Sequence, residues 1–426
     1  MKNKVHISLI AGIVFFCAPD LPAETQYGIE ISEQVLSEKN TYNTDTLFEF
    51  NKDDLNNILI LSPYMEWSMG KNVSFFLLGD FTWSHSFERD DDDGDADLGN
   101  AFLCLNNDKT LLSAGLQPFS FGRGFIFDDN APGLSFDLSL SPSSRFNLKS
   151  AHVKGSSSLF SFSFGYEPGL FEKIELFGVV YHDSDNTVAS LLNAYFTWDT
   201  IFSSGVVPLT SSKGDLYYAG IGADVFLGDF FVKATGIIQK GTLTFSTEDP
   251  DMSRDTDINA FLADIEISRN LNDVCSMAGF FFIRSGGRAD SRDDENHSFI
   301  VPRPMEYRTQ IFANDQFGPY HNETGFISRG IIAPGLISPG LSMTLTPFEN
   351  VIAKTVVSLL YPYHEPDDNA SFYGWEWDLA LSYTVRKNWE LFAEAGYFRH
   401  GDFFKTEQGE TPDPASRVLT GINVSF

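Results

Sequence analysis

Charged side chains recur at alternate positions within apolar stretches, and they carry most of the chemistry that this chain offers. Between residues 145 and 153, Phe146 and Leu148 alternate with Arg145 and Lys149. Successive side chains of a strand point to opposite faces, so the two basic residues share the face that the apolar residues do not occupy. By the same alternation we predict that this inner face also carries Lys233, Arg284, Lys354, Arg417, Asp80, Asp264, Glu266, Glu376, Asp378 and Glu394.

Such a face would line a hydrated passage in which arginine and lysine contact anions. Paired charges of both signs can equally serve only to brace the wall, and the sequence leaves both interpretations open. Arg303 and Arg308 lie in the long segment 285–340. We predict that this segment folds into the pore and adds two basic groups.

Catalytic and metal-binding patterns are weak. The chain contains no Gly-x-Ser-x-Gly elbow, no His-Glu-x-x-His pair and no Cys/His cluster with metal spacing. His85, His152 and His182 are candidates for a hydrolase only by their location. The acidic run 90–97 is expected to be a solvated loop, and it lacks the EF-hand pattern because Arg89 stands at the first ligand position; the sequence leaves open whether it binds calcium in another way. We therefore predict no enzyme, no catalytic residue, no metal site and no cofactor.

The elements that would position these charges are strands. Residues 158–166 set Phe160, Phe162 and Phe164 against serines, and 374–385 set Trp375, Trp377 and Leu379 against Glu376 and Asp378. Each segment has about ten residues, the length of a tilted membrane strand. Together with less regular candidates, among them 45–50, 134–141 and 189–199, they predict about eighteen strands. Long and short connections alternate from residue 215 to the end, but the alternation breaks between 134 and 215.

The two ends of the chain agree with a membrane barrel. Val418, Thr420, Ile422, Val424 and Phe426 share one face of the last strand. Such a strand ending in Phe426 is typical of the closing strand of outer-membrane barrels. Residues 1–23 combine Lys2 and Lys4 with a short apolar run and Ala23, which predicts a cleaved secretory signal peptide. The fold class is thus all-β, with 24–426 forming a single antiparallel transmembrane β-barrel in the bacterial outer membrane.

Composition excludes other classes of protein. Aromatic residues make up 15% of the chain, as lipid-facing strands and interfacial girdles require. The net charge of −29 excludes nucleic acid as a partner, because phosphate binding needs a basic surface. The expected partners are outer-membrane lipid and lipopolysaccharide, the barrel assembly machinery acting on the last strand, and an anionic saccharide.

Three segments resemble the alginate-export outer-membrane family. They are 115–124 with the following Asp128-Asp129-Asn130, the strand 374–383, and 394–402 with its Gly-Tyr-Phe sequence. The resemblance implies a monomeric eighteen-stranded barrel with an arginine-rich constriction that passes anionic polysaccharide. It places Arg123, Glu376 and Asp378 at positions of the family's motifs. Two alternatives remain: a general porin without anion preference, and a plugged barrel with an enzymatic or adhesive role.

Overall fold

The chain forms one continuous antiparallel sheet that closes on itself. The computed structural model describes residues 25–43, 49–68, 72–87, 91–154, 156–169, 172–184, 209–247, 253–286, 295–301, 335–364, 371–405, 409 and 411–426. Its strands are β1 Thr25–Asn43, β2 Glu49–Ser68, β3 Val73–Ser86, β4 Asp91–Asn106, β5 Thr110–Phe121, β6 Phe127–Ser141, β7 Ser144–Lys154, β8 Ser157–Tyr166, β9 Lys173–Asp183, β10 Leu209–Leu227, β11 Phe230–Thr247, β12 Ser253–Asn270, β13 Cys275–Arg284, β14 Glu295–Asn296, β15 Leu336–Phe348, β16 Val351–Leu360, β17 Gly374–Arg386, β18 Trp389–His400 and β19 Ala415–Ser425.

Each strand of the wall pairs with its neighbours in sequence, and β19 pairs with β1. The short β14 lies outside this wall, paired with β12 in a parallel orientation, so eighteen strands close the barrel. At the seam, Phe426 N–H donates to Ile29 O at 3.0 Å. The predicted fold class and the role of the last strand in closure are confirmed. Within the described ranges, no helix is long and apolar enough to cross a membrane.

The alternation of side chains separates the two faces of the wall. Trp377 is 46% exposed on the outside, whereas its neighbours Glu376 and Asp378 are fully buried on the inside. Phe160, Phe162 and Phe164 are likewise outside and largely exposed. An arginine or lysine on the lipid face would cost about 2–4 kcal/mol at the midplane, so this segregation is a physical requirement of a membrane barrel.

Connection lengths distinguish the two ends of the barrel over most of the chain. Two-residue turns join β6 to β7, β10 to β11, β15 to β16 and β17 to β18, all at one end, which we call the turn end. The long connections lie at the other end, the loop end. Because β9 pairs directly with β10, no wall strand lies between them. Between 134 and 215 the lengths do not alternate strictly, as the sequence indicated: two residues join β7 to β8 at the loop end, and six join β8 to β9 at the turn end.

Two predicted elements differ in the structure, and a third lies outside its described residues. Residues 49 and 50 begin β2 instead of forming a separate strand at 45–50, because β1 extends far enough to pair with them. The candidate strand 189–199 lies outside the described residues. Asp91–Asp97 belong to β4 and not to a loop, because β3 supplies ladder partners as far as Ser86. Asp93 and Asp95 keep the exposed, solvated character that was predicted for the run.

Candidate functional site: the lumen and its inward hairpin

Among the described residues, the loop-end part of β5 and β6 enters the lumen. Pairing of β5 with β4 ends at Leu116, and pairing of β6 with β7 begins at Gly133. Residues 117–131 therefore pair only with each other, through Phe121 opposite Phe127. We call these residues the inward hairpin. Leaving both neighbouring strands frees it to fold across the interior of the barrel.

Glycines make the bend possible. Gly115 faces Gly133 across the β5–β6 ladder and has φ of 132°, a region open mainly to glycine. A Cβ on Gly115 would lie 2.2 Å from Ala101 O, and one on Gly133 would lie 2.1 Å from Ser150 O. Pro132, next to Gly133, has no N–H to offer to β7. The backbone of the hairpin can thus pass close to the wall as it turns inward.

The tip of the inward hairpin reaches far around the barrel. Phe119, Phe121 and Phe127 are at most 2% exposed, and the Phe125 ring lies 6.1 Å from that of Phe282 on β13. Strand β13 is eight places from β5 in a closed wall of eighteen strands, so it lies almost opposite. The hairpin therefore narrows the lumen across nearly its full width.

Arg123 fixes this tip to the wall. Its Nη2 donates to both carboxylate oxygens of Asp224 on β10, at 2.5 and 2.7 Å, and its Nη1 donates to Ala234 O at 3.2 Å. Of the described non-glycine residues it alone has a positive φ, of 60°. The side chain lies against Gly222, where a Cβ would be 2.4 Å from Arg123 Cδ. Arg123 thus adopts a strained backbone conformation, and Gly222 has no Cβ that would collide with the arginine side chain. Both features indicate that the ion pair matters for the hairpin's position.

A row of alternating charge lies beside this ion pair. Lys173, Asp224, Lys233 and Glu266 are direct ladder partners on β9, β10, β11 and β12, and all four face inward. Directly opposed residues have Cβ atoms about 5 Å apart, so opposite charges in such a row attract one another. We call these four residues the charged row. It gives the turn-end half of the lumen a polar wall of mixed sign.

The other predicted pore residues occupy the inner face at several heights. Arg145 is near the turn end, 58% exposed and 3.7 Å from Glu167. Lys149 Nζ donates to Ser120 O of the inward hairpin at 3.3 Å. Lys354 has the inward parity of buried Val356. The remaining inward charges are buried: Arg284, Arg417, Asp264, Glu376, Asp378 and Glu394. Asp80 accepts a hydrogen bond from Ser62 Oγ at 2.6 Å. Arg303 and Arg308 lie outside the described residues.

Sequence reasoning missed the apolar character of the loop-end half. Its inner face carries a cluster that includes Phe177, Leu216, Ile237, Phe280 and Phe282. Residues 298–301 pack on it: Ile300 N–H donates to Gln239 Oε1 at 2.9 Å, and Ile300 O accepts from Tyr218 OH at 2.7 Å. Alternation separates the two faces, but it cannot say which face is outside when both are apolar.

The contacts of the candidate histidines within the described residues do not make up a catalytic constellation. His182 Nδ1 lies 2.8 Å from Asp215, and both side chains are nearly half exposed on the outward face. His85 has its ring between those of Trp83 and Phe87. Among the described residues, no group of three His, Cys, Asp or Glu is arranged to hold a metal ion.

Comparison with solved structures finds barrels of the same fold. OprD from Pseudomonas aeruginosa is 11% identical, the alignment covers 94% of each chain, and the TM-score is 0.55. OccAB4 from Acinetobacter baumannii is 11% identical over 96% of this chain and 99% of that one, with a TM-score of 0.56. OpdK from Pseudomonas aeruginosa, solved with vanillate, is 10% identical over 95% of this chain and 100% of that one, with a TM-score of 0.54.

The fold is that of a bacterial outer-membrane porin. At this level of identity the likeness concerns the fold alone. No protein-family model matches the sequence, and no curated protein matches it either. An eighteen-stranded closed barrel with an apolar outer face is consistent with the predicted location in the outer membrane. The comparisons show this fold and do not single out the alginate-export family.

Proposed function

We propose that this protein is a passive solute channel whose size limit is set by the inward hairpin. The observation that carries the proposal is the reach of that hairpin from β5 to Phe282 on β13, almost opposite in the wall. A barrel of eighteen strands is wide enough for an aqueous channel. The hairpin and the packed rings of the loop-end half reduce it to a narrow passage, so a size-selective channel fits better than an open pore.

For the solute, we propose a molecule that carries an anionic group, either an acidic oligosaccharide or a small organic acid. Arg145, at the turn-end mouth, is 58% exposed, against 41% for Lys173 and 20% for Arg123. Lys149 and Lys173 also face the lumen, while the loop-end half offers aromatic surface. The OpdK structure with vanillate, an aromatic acid, is a precedent in the same fold. Passage of alginate-like polysaccharide is the finer form of this proposal.

A general porin without anion preference is the second candidate. The charges in and beside the charged row support it, because Arg123, Lys173 and Lys233 are balanced by Asp224, Glu266 and Glu175, which pairs with Lys173 at 2.9 Å. A third candidate is a plugged barrel with an enzymatic or adhesive role, which the buried apolar cluster favours. We further propose that the protein acts as a monomer, that lipopolysaccharide surrounds it, and that the assembly machinery recognises its last strand.

The size limit is tested by shortening the hairpin. Replacing residues 119–130 with Gly-Gly removes the tip and leaves the ladder between Leu116 and Pro132 intact. We expect single-channel conductance to rise several-fold and larger sugars to enter in liposome-swelling assays. The same replacement of residues 248–252, in another loop-end connection, is the control. Equal conductance in the shortened and wild-type proteins would refute the size-limit proposal, and zero conductance in both would favour a plugged barrel.

The charge preference is tested by reversal potentials in a salt gradient across a planar bilayer. We expect anion preference in the wild type and a weaker preference in Arg145→Ala. Arg269→Ala is the matched control, since Arg269 is near the same end, has outward parity and pairs with Asp229 at 2.9 Å. Cation preference in the wild type, or an unchanged reversal potential in Arg145→Ala, would exclude the anionic solute.

A further inference from the structure

Two polar side chains stand in the middle of the apolar inner face of the loop-end half. Tyr218 and Gln239 are ladder partners on β10 and β11, and they are only 2% and 0% exposed. The residues around them on this face include Leu216, Ile237 and Leu243, all of them apolar. A polar group left unpaired in such surroundings is costly, and apolar side chains would serve a wall equally well. Tyr218 and Gln239 therefore need a polar partner inside the barrel.

That partner is the backbone of Ile300. Gln239 Nε2 donates to Ile300 O at 2.7 Å, and Ile300 N–H donates to Gln239 Oε1 at 2.9 Å. Tyr218 OH donates to the same Ile300 O at 2.7 Å. The side-chain amide thus exchanges two bonds with one residue, as the opposite residue of a neighbouring antiparallel strand would do. These bonds hold Ile300 at a fixed height on the inner face.

Residues 298–301, which we call the inner segment, form a second layer inside the wall. All four are at most 2% exposed. Phe299 N–H donates to Ser285 O at 3.2 Å, just after the end of β13, and its ring meets that of Tyr218 edge-on, with centroids 6.0 Å apart. The segment therefore runs across the inner face from β13 towards β10. The β10–β11 and β11–β12 ladders continue beneath it, so the wall is complete without it.

The inner segment lies at a different height from the anchor of the inward hairpin. Arg123 of the hairpin is bound to Asp224, which is six residues closer to the turn end of β10 than Tyr218. At about 3.3 Å per residue, this separation is about 20 Å along the strand. The hairpin enters from β5 and the inner segment from β13, almost opposite in the wall. The lumen is thus occupied from two sides and at two heights.

We propose that the inner segment is a second constriction of the lumen, in series with the inward hairpin, and that Gln239, assisted by Tyr218, positions it. This inference rests on the proposed channel function. A solute that passes the hairpin must then also pass the inner segment. The resistances of two constrictions in series add, so the narrower one dominates the conductance. Gln239 acts through the backbone of Ile300 and is therefore a positioning residue.

Hydrogen exchange followed by mass spectrometry tests the positioning. Gln239→Leu removes two of the bonds to Ile300 at nearly the same side-chain size, and Tyr218→Phe removes one bond and keeps the ring. With a factor of about ten for each buried bond lost, exchange in residues 298–301 should rise about tenfold in Tyr218→Phe and about a hundredfold in Gln239→Leu. Unchanged exchange in both variants would overturn the positioning role.

The structure offers a matched control for each variant. Tyr217→Phe removes a hydroxyl from the next residue of β10, whose side chain is 52% exposed on the outer face. Thr235→Val removes a buried hydroxyl from the inner face of β11, four residues closer to the turn end than Gln239. Both controls should exchange like the wild type. A rise as large in the controls as in the test variants would also overturn the positioning role.

Single-channel conductance tests the constriction, both in the full chain and in the protein whose residues 119–130 are replaced with Gly-Gly. In the shortened protein we expect Gln239→Leu to raise the conductance several-fold, because the inner segment is then the narrowest point. With the hairpin present the rise should be smaller, since the hairpin remains in series. Raised exchange with unchanged conductance in both backgrounds would overturn the second constriction and leave the hairpin proposal intact. A shortened hairpin without effect, together with a rise in Gln239→Leu, would instead refute the size limit set by the hairpin and support the inner segment.

Discussion

The ion pair between Arg123 and Asp224 should act as the latch of the inward hairpin. Asp224→Asn removes the charge and one of the two strong acceptors, but preserves the size of the side chain. Arg123 then keeps its bond to Ala234 O and loses its bidentate partner. The hairpin makes no ladder bonds to β4 or β7 beyond Leu116 and Gly133, so the change acts on a segment that backbone pairing with the neighbouring strands does not hold.

The free-energy cost of Asp224→Asn can be estimated from the exposure of the ion pair. The Arg123 and Asp224 side chains are 20% and 19% exposed, so the pair is neither fully exposed nor fully buried. A surface ion pair contributes about 0–1 kcal/mol, and disrupting a buried one costs about 3–5 kcal/mol. We take about 2 kcal/mol as the loss. At 1.4 kcal/mol for each factor of ten, the fraction of molecules with a released hairpin rises about thirtyfold.

The assay measures access to the tip. Phe125→Cys is placed in a background with Cys104→Ser and Cys275→Ser, and the rate of reaction with a soluble maleimide is compared with and without Asp224→Asn. We expect the rate to rise about thirtyfold. Asp229→Asn is the control, since its pair with Arg269 is exposed and at the turn end. A rate unchanged by Asp224→Asn would show that apolar packing alone holds the hairpin and would refute the latch.

Three further outcomes are expected. Gly133→Val should lower the yield of folded barrel in a heat-modifiability gel, because its Cβ would lie 2.1 Å from Ser150 O; Gly165→Val, with 3.7 Å of space, should fold normally. Deleting Phe426 should slow refolding into detergent, followed by circular dichroism, because both seam bonds of that residue disappear. Leu379→Arg should reduce the free energy of unfolding in urea by about 2–4 kcal/mol, and a smaller loss would place this residue away from lipid.

The inward and outward directions of the wall side chains could be predicted because they depend only on neighbouring residues in the sequence. Trp377 lies outside and Asp378 inside for a reason that three consecutive residues reveal, namely the two-residue period of a strand. The inward direction of Arg145 and Lys149 followed from Phe146 and Leu148 in the same way. From residue 215 to the end, connection lengths also indicated at which end of the barrel each connection lies. No long-range information was needed for any of these steps.

The inward hairpin was not predictable by the same means. Residues 115–124 stood out only through a resemblance to another family, and their alternation alone would continue β5 up the wall. What turns them inward is the loss of pairing with β4 and β7, together with an acceptor on Asp224, 101 residues away in the sequence. Contacts at that separation leave no local periodicity, so the partner of Arg123 could be found only in the structure.

Two aromatic residues of the inner face pack against glycines of neighbouring strands, a pattern that alternation along a single strand does not predict. Phe177 lies against Gly220, and Phe280 lies against Gly340, in each case on a neighbouring strand and within 2.3 Å of where a Cβ would be. A ring that covers a glycine lies flat on the wall and keeps its edge out of the passage. Glycine beside a phenylalanine thus lets a barrel keep an apolar inner face without filling its lumen completely.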